Sequence, residues 1–167
     1  MKSEYSGAQL TALVALRFAI GWHFFYEGVS KAVNAYWTSA GFLEQSQGFL
    51  SEWFVDLASN PSTLAVVDFL NVWGLVLVGL GLMLGGLTRT AACFGILMLI
   101  LYYLATPPWP GFVYAIPAEG AYLIINKTFI ELCALLVTLF FPTGKIIGLD
   151  RLVRLARARG SVQESYA

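Results

Sequence analysis

Residues 69–106 read FLNVWGLVLVGLGLMLGGLTRTAACFGILMLILYYLAT and contain a single charged side chain, Arg89. This stretch is long enough for two helical spans, because one span needs about 20 mostly apolar residues to cross a hydrocarbon core about 30 Å thick. Its apolar residues run consecutively and do not alternate with polar ones, which argues against the strands of a membrane β-barrel. The stretch therefore predicts two membrane helices joined by a tight turn at Arg89.

The composition of the whole chain agrees with an integral membrane protein. The 167 residues are 58% hydrophobic and only 12% charged, whereas a soluble domain has about a quarter charged residues. Ten basic residues balance ten acidic ones, so the net charge does not indicate a nucleic-acid-binding surface. We expect residues 1–167 to form one transmembrane domain that contacts the lipid bilayer and no nucleic acid.

Apolar stretches before and after residues 69–106 predict two further spans. The predicted fold is therefore all-α, a transmembrane four-helix bundle. The first span is too long for a secretory signal and no cleavage site follows it, so we expect it to be retained. Basic residues flank the spans at Arg89 and in the tail 145–167. Because the number of spans is even, the positive-inside rule places both termini and this tail in the cytoplasm. The predicted spans are residues 10–31, 63–88, 90–106 and 121–141.

Residues 42–58 predict an additional amphipathic helix along the outer membrane surface. Its apolar side chains recur at helical spacing opposite a polar, acidic face. Two roles remain open for this helix, an aromatic anchor at the level of the lipid head groups or a lid over a cavity between the spans. The apolar members are Phe42, Leu43, Phe49, Leu50, Trp53, Phe54 and Leu57.

Several ionisable side chains lie within or near the predicted spans. Each costs about 3 kcal/mol in a bilayer on insertion scales, so each needs a partner or water. At a rise of about 1.5 Å per residue, Arg17 and Glu131 reach a similar depth, and we expect them to pair. The i, i+4 spacing of His23, Glu27 and Lys31 places them in one stripe on span one. The candidate ligand-binding residues are Arg17, His23, Glu27, Lys31, Asp68, Lys127 and Glu131.

Two interpretations of these residues remain open. In the first, they line a shared polar pocket that opens toward the outer side, with Arg17 as its floor. Such a pocket suits a quinone head group, which needs hydrogen-bonding groups that exchange protons. In the second, the charges only fix the pairing of the helices, as in a scaffold or assembly subunit. A solute or ion carrier is disfavoured because the spans are unbroken and not repeated.

The sequence offers few residues for other cofactors. Its single histidine, His23, excludes bis-histidine haem within one chain, although two copies of the chain can share a haem. No residues have the spacing of a metal site or a phosphate-binding loop. Cys93 and Cys133 form no C-x-x-C motif, so we interpret each as a small buried apolar residue, with a bridging pair as the alternative. Quinone is the cofactor that we consider, and no haem, metal or nucleotide is expected.

Short motifs in three regions resemble the DoxX/DoxD family of small four-helix membrane proteins. They are Arg17-x-x-x-Gly21-x-x-Phe24 with Gly28-x-x-Lys31, then Gly74, Gly79, Gly81, Gly85 and Thr88-Arg89, and finally Glu131, Gly144, Gly148, Leu149 and Asp150. The resemblance covers about residues 8–152. It implies a protein of the bacterial plasma (inner) membrane, in some members a subunit of thiosulfate:quinone oxidoreductase.

The resemblance also bears on partners and activity. It implies association with other membrane or periplasmic redox subunits, or self-association, and it assigns no catalytic residues. The predicted function is a quinone- or quinol-interacting membrane subunit of a redox complex, which is not an enzyme on its own.

Overall fold

The long apolar segments of the sequence form helices in the structure, a computed structural model that describes residues 5–115 and 123–164. Within these residues there is no strand, and four helices are long and apolar enough to cross a membrane: α1, α4, α5 and α6, the last counted with the turn that follows it. The predicted all-α membrane bundle is therefore confirmed. The helices are α1 (Gly7–Val33), α2 (Ala40–Leu43), α3 (Ser51–Ser59), α4 (Pro61–Leu84), α5 (Thr88–Ala105), α6 (Lys127–Phe140) and α7 (Leu149–Glu164), and a 3-10 turn (Thr143–Lys145) follows α6.

Local sequence signals set the ends of the long helices. At the start of α1, Gln9 N donates to Ser6 Oγ and Ser6 N donates to Gln9 Oε1, which is a capping box. The Asn60 side chain caps α4 by accepting hydrogen bonds from two backbone N–H groups. Helix α4 ends at Leu84, because the next residue, Gly85, has a φ of 65°, the left-handed conformation that stops a helix. We call the end of the bundle with this α4–α5 turn the turn end, and the opposite end the loop end.

Helices α1 and α4 pack closely because glycines remove the side chains between them. A Cβ added at Gly79 would clash with Phe25 N and lie 2.7 Å from Gly21 O. A Cβ added at Gly28 would lie 2.7 Å from Val76 N. Small residues of this kind let helix backbones approach in a membrane, where dispersion and weak polar contacts hold helices together. The glycines therefore set the separation of α1 and α4.

One apolar core joins the four long helices, and large apolar side chains cover their outer surface. Phe24 of α1, Leu82 of α4 and Leu135 of α6 are among the fully buried side chains. An extensive exposed apolar surface is typical of contact with lipid. Together with the four candidate spans, this surface identifies a membrane protein. Its exposed members include Phe18, Trp22, Phe69, Leu70, Trp73, Leu77, Phe94, Leu97 and Ile130.

The prediction of one continuous helix over residues 42–58 is wrong. Two shorter helices, α2 and α3, occupy this region, and Gly48 between them has a φ of 98° that interrupts the helix. Leu43 of α2 and Phe54 of α3 are buried together with Ala105 at the end of α5. This segment therefore packs onto the loop end of the bundle.

The fourth span begins later than the predicted residue 121. Helix α6 begins at Lys127, where the Asn126 side chain accepts a hydrogen bond from Phe129 N. Residues 116–122, which include the start of the predicted span, lie outside the described residues. Lys127 is therefore the first residue of α6, and Glu131 lies about one turn farther along it. The basic tail forms helix α7.

Candidate functional site

Arg17 is a buried residue of the turn end, with only 3% of its surface exposed. Its Nη1 donates to Thr143 Oγ1 and its Nη2 donates to the carbonyl oxygen of Ile147, both at 3.0 Å. The predicted Arg17–Glu131 pair is therefore wrong, and so is the placement of Arg17 as the floor of a pocket with the other charges. Helical rise predicts the depth of a side chain but not the direction in which it points.

Asp150 completes the polar cluster at the turn end. Its Oδ1 accepts a hydrogen bond from Leu87 N at 2.7 Å, and its Oδ2 accepts from Thr88 N at 3.1 Å and from Thr88 Oγ1 at 2.8 Å. Helix α5 has no side-chain cap from Leu87, its own N-cap residue, so Asp150 satisfies N–H groups at its start. Partial burial acts to raise the pKa of Asp150. The hydrogen bonds from Thr88 and Leu87 and the charge of Arg17 outweigh this, so the pKa lies below its ordinary value.

We expect acid to destabilise the protein through Asp150. Since the folded-state pKa lies below the ordinary value of 3.8, the carboxylate stabilises the fold fully above that pH. This stabilisation is lost as the pH falls through the folded-state pKa. Asp150→Asn should flatten this acid dependence and cost about 1 kcal/mol at neutral pH, as a lost helix cap does.

Thermal unfolding in detergent over a pH series that extends below 3.8 measures both effects. Asp56→Asn is the matched control because Asp56 is exposed on α3, and it should leave the unfolding curve and its pH dependence unchanged. An Asp150→Asn variant with the acid sensitivity of the native protein would contradict the prediction.

His23 and Glu131 form a close polar pair between α1 and α6. Nδ1 of His23 and Oε1 of Glu131 lie 2.6 Å apart. The His23 side chain is 53% exposed, whereas that of Glu131 is 16% exposed. Within the described residues, Nε2 of His23 has no hydrogen-bond partner, and the charges of Glu27 and Lys127 also act on the ring. The pair thus holds one imidazole nitrogen and leaves the other available on a half-exposed ring.

A second polar group lies nearer the loop end, among α1, α4 and α5. Asn71 Nδ2 donates to the Tyr102 hydroxyl at 2.8 Å, and Lys31 Nζ donates to Asn71 Oδ1 at 3.5 Å. Lys31 Nζ also lies 3.6 Å from Glu27 Oε2 and 5.4 Å from the centre of the Trp37 ring. Asn71 was not among the predicted site residues. It is the one side-chain amide in the predicted span 63–88, and that isolation was the signal that could have identified it.

The structure divides the predicted site residues among separate contacts. Asp68 accepts hydrogen bonds from the backbone N–H and the hydroxyl of Ser39, so it holds the start of α2. The predicted pocket required charged residues of spans one and four to meet, and the His23–Glu131 pair is the contact of this kind that the structure shows. The charge of Lys127 also acts on the His23 ring. Ligand binding by these residues stays a prediction. The groups are His23 with Glu131, Lys31 with Glu27, Asp68 with Ser39, and Arg17 with Thr143.

The two cysteines do not contribute to a buried site. Cys93 and Cys133 are free and exposed on the outer surface of the bundle, so the interpretation of each as a buried residue is wrong, and so is the alternative of a bridging pair. Among residues 5–115 and 123–164, no three His, Cys, Asp or Glu side chains are close enough to hold a metal ion together.

The apolar spans and the glycine-packed helix pair define a small helical membrane protein with four candidate spans. The chain belongs to the DoxX family, because the family model described as DoxX matches residues 12–108, which is more than half of the chain. This match confirms the resemblance seen in the sequence. It runs from α1 through α5 and ends before α6, so Glu131 and Asp150 lie outside it. Searches of the curated proteins and of the solved structures found no match.

Proposed function

We propose that this DoxX-family protein binds the head group of a quinone or quinol at the His23–Glu131 pair. The observation that supports this proposal is a half-exposed imidazole in a membrane span, with one nitrogen held by a carboxylate. When Nδ1–H donates to Glu131, the lone pair of Nε2 accepts a hydrogen bond from a quinol hydroxyl. When the ring is protonated, Nε2–H donates to a quinone carbonyl. The pair is therefore suited to both oxidation states of the ligand.

The position of the pair suits a ligand that enters from the lipid. Helix α1 packs extensively on α4 and has a much smaller contact with α6, so His23 lies at the more open seam of the bundle. Exposed apolar side chains surround the spans, which allows a long alkyl tail to stay in the hydrocarbon region. A quinone head group would then reach the polar pair without crossing the packed core.

The role of the chain in this proposal is binding and proton exchange. Oxidation of a quinol releases two protons and two electrons, and reduction of a quinone takes up the same number. His23 takes up or delivers one of the two protons at Nε2, and the other passes to or from solvent at the membrane surface. The carboxylate of Glu131 orients the ring and stabilises its charged form. The electrons pass to or from a cofactor on another membrane or periplasmic subunit, so the chain acts as part of a redox complex.

The proposal places the protein in the plasma (inner) membrane of a bacterium, with both termini in the cytoplasm. Four basic residues of the turn end support this orientation under the positive-inside rule. His23 lies about 9 Å along α1 from Arg17, the buried residue of the turn end, so the pair lies nearer the turn end than the loop end. The basic residues are Arg89, Lys145, Arg151 and Arg154.

Replacing either member of the pair with glutamine tests the proposal. His23→Gln and Glu131→Gln should each weaken binding of a short-tailed benzoquinone about tenfold or more, because a hydrogen bond to a charged group contributes about 1.5–3 kcal/mol. Affinity is measured by titration in nanodiscs of zwitterionic lipid. A photoreactive analogue of the same quinone should label α1 and α6. Glu52→Gln is the control, because Glu52 is exposed on α3 away from the pair.

A scaffold or assembly subunit is the second candidate function. The turn end favours it, because Arg17 is buried, donates to Thr143 and Ile147 and presents almost no surface to a ligand. Under this function, both glutamine variants would bind the quinone as the native protein does while losing thermal stability or a co-purifying subunit. Native quinone affinity in both variants would overturn the quinone proposal.

A further inference from the structure

An open groove of about 370 Å³ lies at the turn end, between the start of α5 and α7. Three basic side chains line it, Arg89, Lys145 and Arg154, together with the apolar side chains of Leu87 and Val153. The groove lies where the spans reach the surface of the bundle, since α5 begins and α6 ends beside it. It shares no residue with the His23–Glu131 pair.

The groove has an excess of positive charge. Asp150 is its one carboxylate, and both oxygens of that carboxylate already accept hydrogen bonds at the start of α5. Asp150 also faces the charge of Arg17. Arg154 is held beside Lys145 because its Nη2 donates to the Lys145 carbonyl oxygen at 3.4 Å. The three cations are therefore left without a matching anion in the groove.

Helix α7 continues the groove with an amphipathic surface. Leu149, Leu152 and Leu155 are exposed on it, and the groove residue Arg154 lies between them in the sequence. A helix with this composition directly after a span is suited to lie at the boundary of head groups and acyl chains. The apolar side chains would contact acyl chains while Arg154 remains at the level of the phosphates.

We propose that this groove binds the phosphate-bearing head group of an anionic phospholipid. Basic pockets between membrane helices are typical sites for such head groups. The guanidinium groups of Arg89 and Arg154 match the geometry of phosphate oxygens, and Lys145 adds a third charge. Leu87 and Val153 face the start of the acyl chains. This site is additional to the quinone proposal and does not depend on it.

Binding of fluorescent phosphatidylglycerol to the full chain in neutral detergent tests the proposal. Arg89→Gln, Lys145→Gln and Arg154→Gln should each weaken binding about fivefold, the usual contribution of one basic residue at an anionic surface. Arg151→Gln is the matched control, because Arg151 is an exposed basic residue of the same helix that does not line the groove. The control should bind phosphatidylglycerol as the native protein does, and phosphatidylcholine should bind at least fivefold more weakly than phosphatidylglycerol does.

Three results would overturn the proposal. A loss in Arg151→Gln equal to that in the groove variants would assign binding to general surface charge. Equal affinity for phosphatidylcholine would remove the role of the anionic head group. Competition by free glycerol phosphate at the concentration of the lipid would show that the phospholipid is not required. Circular dichroism checks each fold, and because the three side chains are exposed, any one variant that unfolds leaves the other two for the comparison.

Discussion

Arg17→Met should lower the free energy of unfolding by about 3 kcal/mol, the cost of breaking a buried charged network. The guanidinium is 3% exposed, and its loss leaves Thr143 Oγ1 and the Ile147 carbonyl oxygen without their donor. Asp150 would also lose a nearby positive charge. Nε of Arg17 is buried without a described partner, so the expected loss lies at the lower end of the range for such networks. Methionine preserves much of the side-chain volume of arginine, so the decrease in unfolding free energy measures the lost polar contacts rather than lost packing.

Unfolding of the purified protein by SDS, followed by circular dichroism, measures this effect. Arg17→Lys should recover only part of the stability, because one ammonium group does not reproduce the two-pronged geometry of the guanidinium. Arg151→Met changes an exposed arginine at the same end and should stay within about 0.5 kcal/mol of the native protein. An Arg17→Met protein as stable as this control would contradict a structural role for the cluster.

Gly79→Ala should force α1 and α4 apart and destabilise the protein by about 3 kcal/mol, the upper end of the cost of overpacking. The added Cβ would clash with Phe25 N and lie 2.7 Å from Gly21 O. Both obstacles are backbone atoms of α1, which cannot rotate away as a side chain can. The whole helix must therefore shift to admit one methyl group.

Gly74→Ala is the matched control on the same helix. Its added Cβ would meet Met98 Sδ at 3.2 Å and Met98 Cε at 3.3 Å, and both atoms belong to a flexible side chain that can move. This variant should be neutral or slightly stabilising, since alanine favours a helix over glycine by about 1 kcal/mol. The same SDS titration compares the two variants. Equal stability of Gly79→Ala and Gly74→Ala would show that the α1–α4 contact tolerates extra volume.

Much of the fold was predictable because a bilayer restricts what a chain can do. An apolar run such as 69–106 must satisfy its backbone groups internally, so its length and continuity predict helices without any tertiary information. The presence of α4 and α5 followed from this argument, but the turn between them lies at residues 85–87 and not at the predicted Arg89, which belongs to the first turn of α5. The start of α6 was less predictable, since apolar residues precede Lys127 and the helix begins only where Asn126 caps it. Gly48 likewise divided a region whose apolar pattern predicted one helix.

The candidate site was predictable only in part. The i, i+4 spacing placed His23, Glu27 and Lys31 on one face of α1, because this spacing is a property of a single helix. The partner of His23 was not predictable from depth, since two helices must also be rotated toward each other for side chains to meet. Glu131 therefore pairs with His23, while Arg17 is bonded by the chain segment after α6.

Composition and hydropathy were sufficient for the membrane location, the helical class and the number of candidate spans, because each of these depends on local chain length and burial in lipid. The pairing of buried charges required the packed bundle, since it depends on helix rotation and on contacts between residues more than 100 positions apart. The packed bundle was also needed to show that Asp150 caps α5 and that glycines bring α1 and α4 into contact, because both depend on how separate segments pack. Helical periodicity within one segment determines which face a residue occupies, whereas packing between segments determines what that face contacts.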